Sequence, residues 1–145
     1  MDLVLLCLAP GMARPLLKQY YGPLAGKWYM KAAVAETESY VKLEKIVEFI
    51  ISKADSSISI TSNLDKDYDG NAVNSTPTVS KAGSTGEVTY NWEKKKNAAE
   101  WEGIAAAPTD AGTYRVMATV AADDNYKKAS SIAKEFTISK ADSTI

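Results

Sequence analysis

The chain has no histidine and a single cysteine, Cys7, among its 145 residues. Without histidine it lacks the side chain most used for proton transfer near neutral pH and the commonest ligand of transition metals. One thiol makes neither an internal disulfide nor a cysteine zinc site. An excess of charge is missing too: 17 basic and 18 acidic residues leave a net charge of −1. There is no basic field to hold nucleic acid and no acidic one to hold a cationic substrate. No apolar run approaches the roughly 20 residues of a membrane-spanning helix. The opening "MDLVLLCLAPGMA" has an acidic second residue and a short apolar run ended by Pro10 and Gly11. A secretion signal has a basic start and a longer apolar core. "GSTG" at Gly83 is not followed by a helical pattern, so it reads as a turn and not as a phosphate loop. These absences lead to the expectation of a protein that is not an enzyme and that holds no cofactor and no metal.

What is present is alternation. In "APTDAGTYRVMATVA", Tyr114, Val116, Ala118 and Val120 fall on one side and Thr113, Arg115, Met117 and Thr119 on the other. That is the pattern of a half-buried strand. The same period places Ile58 with Ile60, Val88 with Tyr90 and Trp92, and Phe136 with Ile138. A short strand is expected around Val79. Tyr68 and Val73 are expected to anchor a turn-rich stretch, and residues 97–110 to form a long connection holding Trp101 and Ile104. About seven short strands with polar turns between them predict an all-β, antiparallel β-sandwich.

The chain also repeats itself. "AGKWYMKAAVAETESYVKLEKIVEFIISKADSSI" from Ala25 matches "AGTYRVMATVAADDNYKKASSIAKEFTISKADSTI" from Ala111. Gly26 aligns with Gly112 and Tyr40 with Tyr126. After one inserted residue in the second copy, Phe49 aligns with Phe136 and Ser52 with Ser139. The spacing, 86 residues before the insertion and 87 after it, is that of a small domain and not of a solenoid repeat. The expected organisation is an unmatched segment at residues 1–24, a partial repeat at 25–54 that supplies a β-hairpin of its last two strands, and a complete repeat at 55–142. The simplest reading is a piece of a longer tandem array. Residues 1–24 carry enough leucine and tyrosine to be able to cover the apolar face of the hairpin; residues 56–142 are expected to fold alone as a monomer, and residues 1–54 to be weakly ordered or to drive oligomerisation.

Asp110-Ala111-Gly112-Thr113-Tyr114-Arg115-Val116 resembles the Asp-x-Gly-x-Tyr-x-Cys corner of immunoglobulin-like domains. The resemblance implies a Tyr114 hydroxyl bonded back to the main chain, with Trp92 and Phe136 in the core. Val116 stands at the position of the second cysteine, so the sheets hold without a disulfide. "YDG" at Tyr68, "APTDAGTYRV" at Ala107, "NY" at Asn125 and "FTISKA" at Phe136 together resemble the Tyr-Asp-Gly, MBG-type immunoglobulin-like repeats of bacterial surface proteins. In the first copy "PLAGKWY" departs from "PTDAGTY": the Asp is gone and Trp28 replaces the tyrosine, so the resemblance does not carry the corner bond over to it. The resemblance implies an extracellular or cell-surface, cell-wall location in a bacterium and a structural role as stalk or spacer. Neighbouring repeats of the same chain are then its partners. The alternative is an adhesin module for glycan or host protein.

Other motifs have bland readings beside sharp ones. Asp65-x-Asp67-x-Asp69-Gly70 has the spacing of a calcium loop, but Thr76 stands where the closing acid belongs. Lys94–Lys96, Lys127 and Lys128 read as solvated loops. Trp101 is expected to cover the open end of the sandwich and Tyr126 to staple the last hairpin.

Overall fold

The computed structural model of the chain describes residues 4–8, by backbone alone, and residues 24–143. Every regular element among them is a β-strand. No helix among the described residues is long and apolar enough to cross a membrane. The chain divides into two compact units between Lys53 and Ala54.

The first unit is an antiparallel sheet of β1 (Val4–Leu8), β2 (Gly26–Val34) and β3 (Leu43–Ile51), in that order. Alternation along β2 and β3 sorts the side chains by face. Trp28 stands opposite Phe49, Met30 opposite Val47 and Val34 opposite Leu43, which makes one face largely apolar, with Lys45 on it opposite Ala32. On the other face Lys27 and Lys31 meet Glu48 and Glu44, each at 2.8 Å. Of the residues able to cover the apolar face, β1 takes another place. This strand pairs along the edge of β2, with Val4 opposite Ala33 and Leu8 opposite Tyr29. An open sheet edge leaves a row of backbone donors and acceptors without partners, and β1 meets that demand. The remainder of that reading, on residues 1–3 and 9–23, lies outside the described residues.

The second unit contains β4 (Ser57–Ile60), β5 (Lys66–Asp67), β6 (Val79–Ala82), β7 (Val88–Lys95), β8 (Trp101–Ile104), β9 (Gly112–Val120), β10 (Ala129–Ser130) and β11 (Lys134–Ser139). Its larger sheet runs β5-β11-β9-β7-β8, with β10 also on β9, and β4 and β6 form a second sheet. Strand β9 turns Tyr114, Val116, Ala118 and Val120 inward, none more than 2% exposed. They join two clusters. One is Leu64, Val73, Trp92, Tyr114, Val116, Phe136 and Ile138; the other is Ile58, Ala118 and Val120. Ile60 and Tyr90 pack against both. The unit is an all-β sandwich whose core is centred on β9.

Four details depart from the expectation. Strand β5 pairs with β11 in parallel, Ile138 opposite Lys66, while the other pairs of the larger sheet are antiparallel. The expected connection at 97–110 contains β8. Its turn is closed by Asn97, whose Oδ1 accepts from the N–H groups of Ala99 and Glu100. Tyr68 is no anchor: it is 43% exposed, and Leu64 and Val73 fill the core from that stretch. The chain leaves the sheet at Tyr68, whose N–H donates to Ser139 O at 2.9 Å. Finally, the residue inserted between the two copies is absorbed as a bulge. Ser130 faces Thr119 and Lys134 faces Val116, so three residues of one strand span two of the other. Ser131 sits in the bulge. Its N–H donates to Ala118 O at 2.8 Å, and its Oγ accepts from Ala118 N–H at 3.0 Å.

Candidate functional site

The corner at the start of β9 is built from a bond across four residues. The Tyr114 hydroxyl donates to the main-chain carbonyl of Asp110 at 2.9 Å. The ring is buried, stacked on Phe136 with centroids 5.7 Å apart, and Phe136 in turn meets Trp92 edge-on at 6.0 Å. Val116 stands opposite Trp92 with no exposure. Gly112 lets the ring approach closely: a Cβ there would lie 3.2 Å from the Tyr114 ring and hydroxyl, a tight contact. Asp110, Gly112, Tyr114, Trp92, Val116 and Phe136 therefore lie in one continuous patch of corner and core. Trp92, Tyr114, Val116 and Phe136 are buried packing residues, while Asp110 is exposed at the corner and contributes its main-chain carbonyl.

The first unit contains the same corner with different chemistry. The Trp28 indole N–H donates to Leu24 O at 2.8 Å, again across four residues. Leu24 and Trp28 align with Asp110 and Tyr114. The corner bond that the resemblance does not carry over to "PLAGKWY" is thus present there: an indole N–H donates as a phenol does.

The acidic turn disperses its carboxylates. Asp65 Oδ1 accepts the Thr137 N–H at 2.8 Å, which ties the turn to β11. Asp69 Oδ1 accepts from Lys66 Nζ at 2.6 Å and from Asn71 N–H at 2.9 Å. The Lys66 ammonium holds the Asp69 carboxyl below its usual range. Asp67 lies on β5 opposite Ser139. Among the described residues no three acidic or thiol side chains converge as a metal site would require.

The last connection is organised by Asp123, a residue that strand-period reasoning does not single out. Its Oδ2 accepts from Thr85 N–H at 2.9 Å, and its Oδ1 from Asn125 and Tyr126 N–H at 3.0 and 2.8 Å. The Thr85 bond is the main reason its carboxyl is lowered to about 2. Tyr126 forms a parallel bridge with Ala54, and its ring closes over Gly83. Gly83 has φ of +91°, and a Cβ there would meet Ser56 and the Tyr126 ring at about 3 Å. Tyr126 thus fastens the last connection to the start of the unit, where a staple within the final hairpin was expected.

Trp101 does not cover an open end. Ile104 stands opposite Trp92 and packs on the core, so Trp101, three residues earlier, lies on the outer sheet face. The Arg115 guanidinium sits 4.4 Å from its ring centroid and the Lys95 ammonium 5.4 Å. Arg115 also bonds to Glu93, its neighbour across the strands. The lysine runs are engaged as well. Lys94 lies over the Tyr114 ring, Lys96 pairs with Glu102 at 3.6 Å, and Lys127 pairs with Asp55 at 2.8 Å. Trp101 is half-buried, and both cations lie over its ring.

A family model described as MBG domain matches residues 57–142, more than half of the chain. No curated protein and no solved structure matches.

Proposed function

The chain belongs to the MBG-domain family, and on that premise we propose that it is a structural repeat, a stalk or spacer module of a bacterial multi-repeat protein that is secreted or held at the cell surface. The observation that carries this reading is a shared register. In the first unit Phe49 stands opposite Trp28, Ile51 opposite Gly26 and Val47 opposite Met30. In the second Phe136 stands opposite Tyr114, Ile138 opposite Gly112 and Lys134 opposite Val116. Residues 25–54 are then the last two strands of a preceding copy, and Tyr68-Asp69-Gly70 marks the Tyr-Asp-Gly kind of repeat. The partners are neighbouring repeats; the module has no reaction, no cofactor and no nucleic-acid role. The test is small-angle scattering from tandem chains of one, two and three copies of residues 54–142. A spacer adds a constant length per copy. Copies that fold back on one another, or tumble independently, count against it.

A second reading, an adhesin module for glycan or host protein, is favoured by Trp101 under Arg115 and Lys95. Flat aromatic faces stack on sugar rings. A glycan array decides it: binding that disappears in Trp101→Ala selects the adhesin, and a blank array on a protein that extends regularly selects the spacer.

A further inference from the structure

The chain enters the second unit at one end and leaves it at the other. Ser56 lies at the end where β9 finishes: its Oγ accepts from Ser84 N–H at 3.0 Å, and Ser84 Oγ donates to Ala121 O at 2.6 Å. Strand β11 runs from Lys134, opposite Val116, to Ile138, opposite Gly112, and so leaves at the end where β9 begins. Between the two ends lies β9, nine residues long, about 27 Å. Tension along the chain therefore acts on this unit lengthwise. It is taken up first at Ala54–Ser56. There Ala54 N–H donates to Asn125 O, Lys127 N–H to Ala54 O and Ser56 Oγ to Lys127 O, and Asp55 pairs with Lys127. Next it reaches β5, where it crosses directly to β11, the strand by which it leaves. The two strands are parallel. Tension draws β5 by its amino end and β11 by its carboxyl end, in opposite directions along one axis. Bonds lying across that axis are sheared together and share the load, whereas those of a hairpin opened from its free end break one at a time.

We propose that β5, β11 and the Asp65 carboxylate form a tension clamp that holds the second unit closed against force along the chain. The proposal rests on the spacer reading for the origin of the force. The clamp consists of the β5–β11 ladder and a bond on either side of it. Asp65 Oδ1 accepts from Thr137 N–H at 2.8 Å ahead of β5, and Tyr68 N–H donates to Ser139 O at 2.9 Å beyond it. A bond from an amide to an ionised carboxylate is roughly twice as strong as a neutral one, which makes Asp65 the strongest single part. While the clamp holds, residues 68–133, with β6 to β10, are bypassed by the load. Once it opens, tension runs through them. The lifetime of the unit under tension is then set by a two-residue strand and its flanking bonds, far from the aromatic core.

The test is single-molecule force spectroscopy at constant tension on the full chain, carrying Cys7→Ser and tethered through two new thiols. Tethers at Ser52→Cys and Lys140→Cys load the clamp. Tethers at Ala98→Cys and Lys140→Cys load β7, β9 and β11 and leave β5 out of the path. Forced unfolding reads the opening rate. Asp65→Ala is expected to shorten the lifetime of the second unit at least about tenfold between the first pair of tethers, and by less than about threefold between the second. Asp65→Asn keeps an acceptor oxygen without its charge, and it serves where the alanine chain is too unstable to tether: the same contrast, smaller, is expected. Equal shortening from both pairs overturns the proposal, because Asp65 then contributes general stability only. An Asp65→Ala chain as long-lived as the parent under the first pair overturns it too. Tandem copies that fail to extend regularly in scattering overturn the spacer reading and leave the clamp standing; regular extension without the contrast between tethers does the reverse.

Discussion

The hairpins β2–β3 and β9–β11 share a register and a corner bond, yet one is core and the other is half-exposed. Tyr114, Val116, Ala118, Val120, Phe136 and Ile138 are buried to 3% exposure or less. Their counterparts Trp28, Met30, Ala32, Val34, Phe49 and Ile51 are only half-buried. Even the connecting turn is repeated. Asp123 N–H donates to Tyr126 O and Tyr126 N–H to the Asp123 side chain; Thr37 N–H donates to Tyr40 O and Tyr40 N–H to the Thr37 hydroxyl. Tyr126 closes over Gly83, whereas Tyr40 is 74% exposed. Local bonds therefore reproduce the hairpin, and burial depends on the layer above it, which in the second unit is provided by β4, β6 and the 64–73 stretch. A hairpin sequence specifies register and turn; it does not by itself make a core.

The largest expected effect breaks the pair at its phenylalanines. Phe136→Ala is expected to cost about 3–5 kcal/mol, because the ring touches both Trp92 and Tyr114 in a closed core. Phe49→Ala is expected to cost about 1 kcal/mol, since water already reaches that side chain. Urea denaturation of each variant, read by hydrogen exchange at amides of β9 and of β2, separates the two. Equal costs would mean that the first unit has a core of its own.

Much of this contrast was legible in the residues, and the reasons for the rest are physical. Strand period identified β9, β7, β4 and β11, because alternation is a property of one strand. The self-match from Ala25 to Ala111 located the shared hairpin, and the one-residue insertion fell at the Ser131 bulge. Strand β8 was hidden because "WEGI" is four residues long and holds a glycine, too little to show a period. The parallel pairing of β5, the outward face of Trp101 and the place of β1 on an edge are settled by partners far along the chain. The corner patch was readable from "DAGTY". The indole bond of Trp28 was not, because the motif names a residue where the fold needs only a donor.

The corner supplies the middle effect. Tyr114→Phe removes a buried hydroxyl and leaves Asp110 O without its bond, at an expected cost of about 1–3 kcal/mol. Trp28→Phe removes the corresponding N–H at an exposed position, where water replaces it, and is expected to cost about 0.5–1 kcal/mol. Thermal melting resolves the difference. A Tyr114→Phe chain as stable as the parent would mean that the corner is held by ring packing alone.

The smallest effect is a pH dependence present in one turn and absent from its twin. Asp123 is held at about 2 by the donors of Thr85, Asn125 and Tyr126, against about 3.9 for a free aspartate. A carboxyl lowered on folding contributes stability in full above its unfolded value and loses it as pH falls through the folded one. The second unit should therefore lose this contribution between about pH 4 and pH 2. Thr37 does the same work in the first unit with a hydroxyl, which does not titrate in that range. Asp123→Thr copies that solution. The variant is expected to be less stable than the parent at pH 6, with a shallower loss on acidification, so that the two melting curves converge near pH 2. Asp55 and Asp69 are also lowered, by Lys127 and Lys66, so the parent's acid limb alone does not isolate Asp123. The difference between parent and variant does. Parallel acid limbs would mean that Asp123 is not linked to folding and that the two turns are equivalent in more than their geometry.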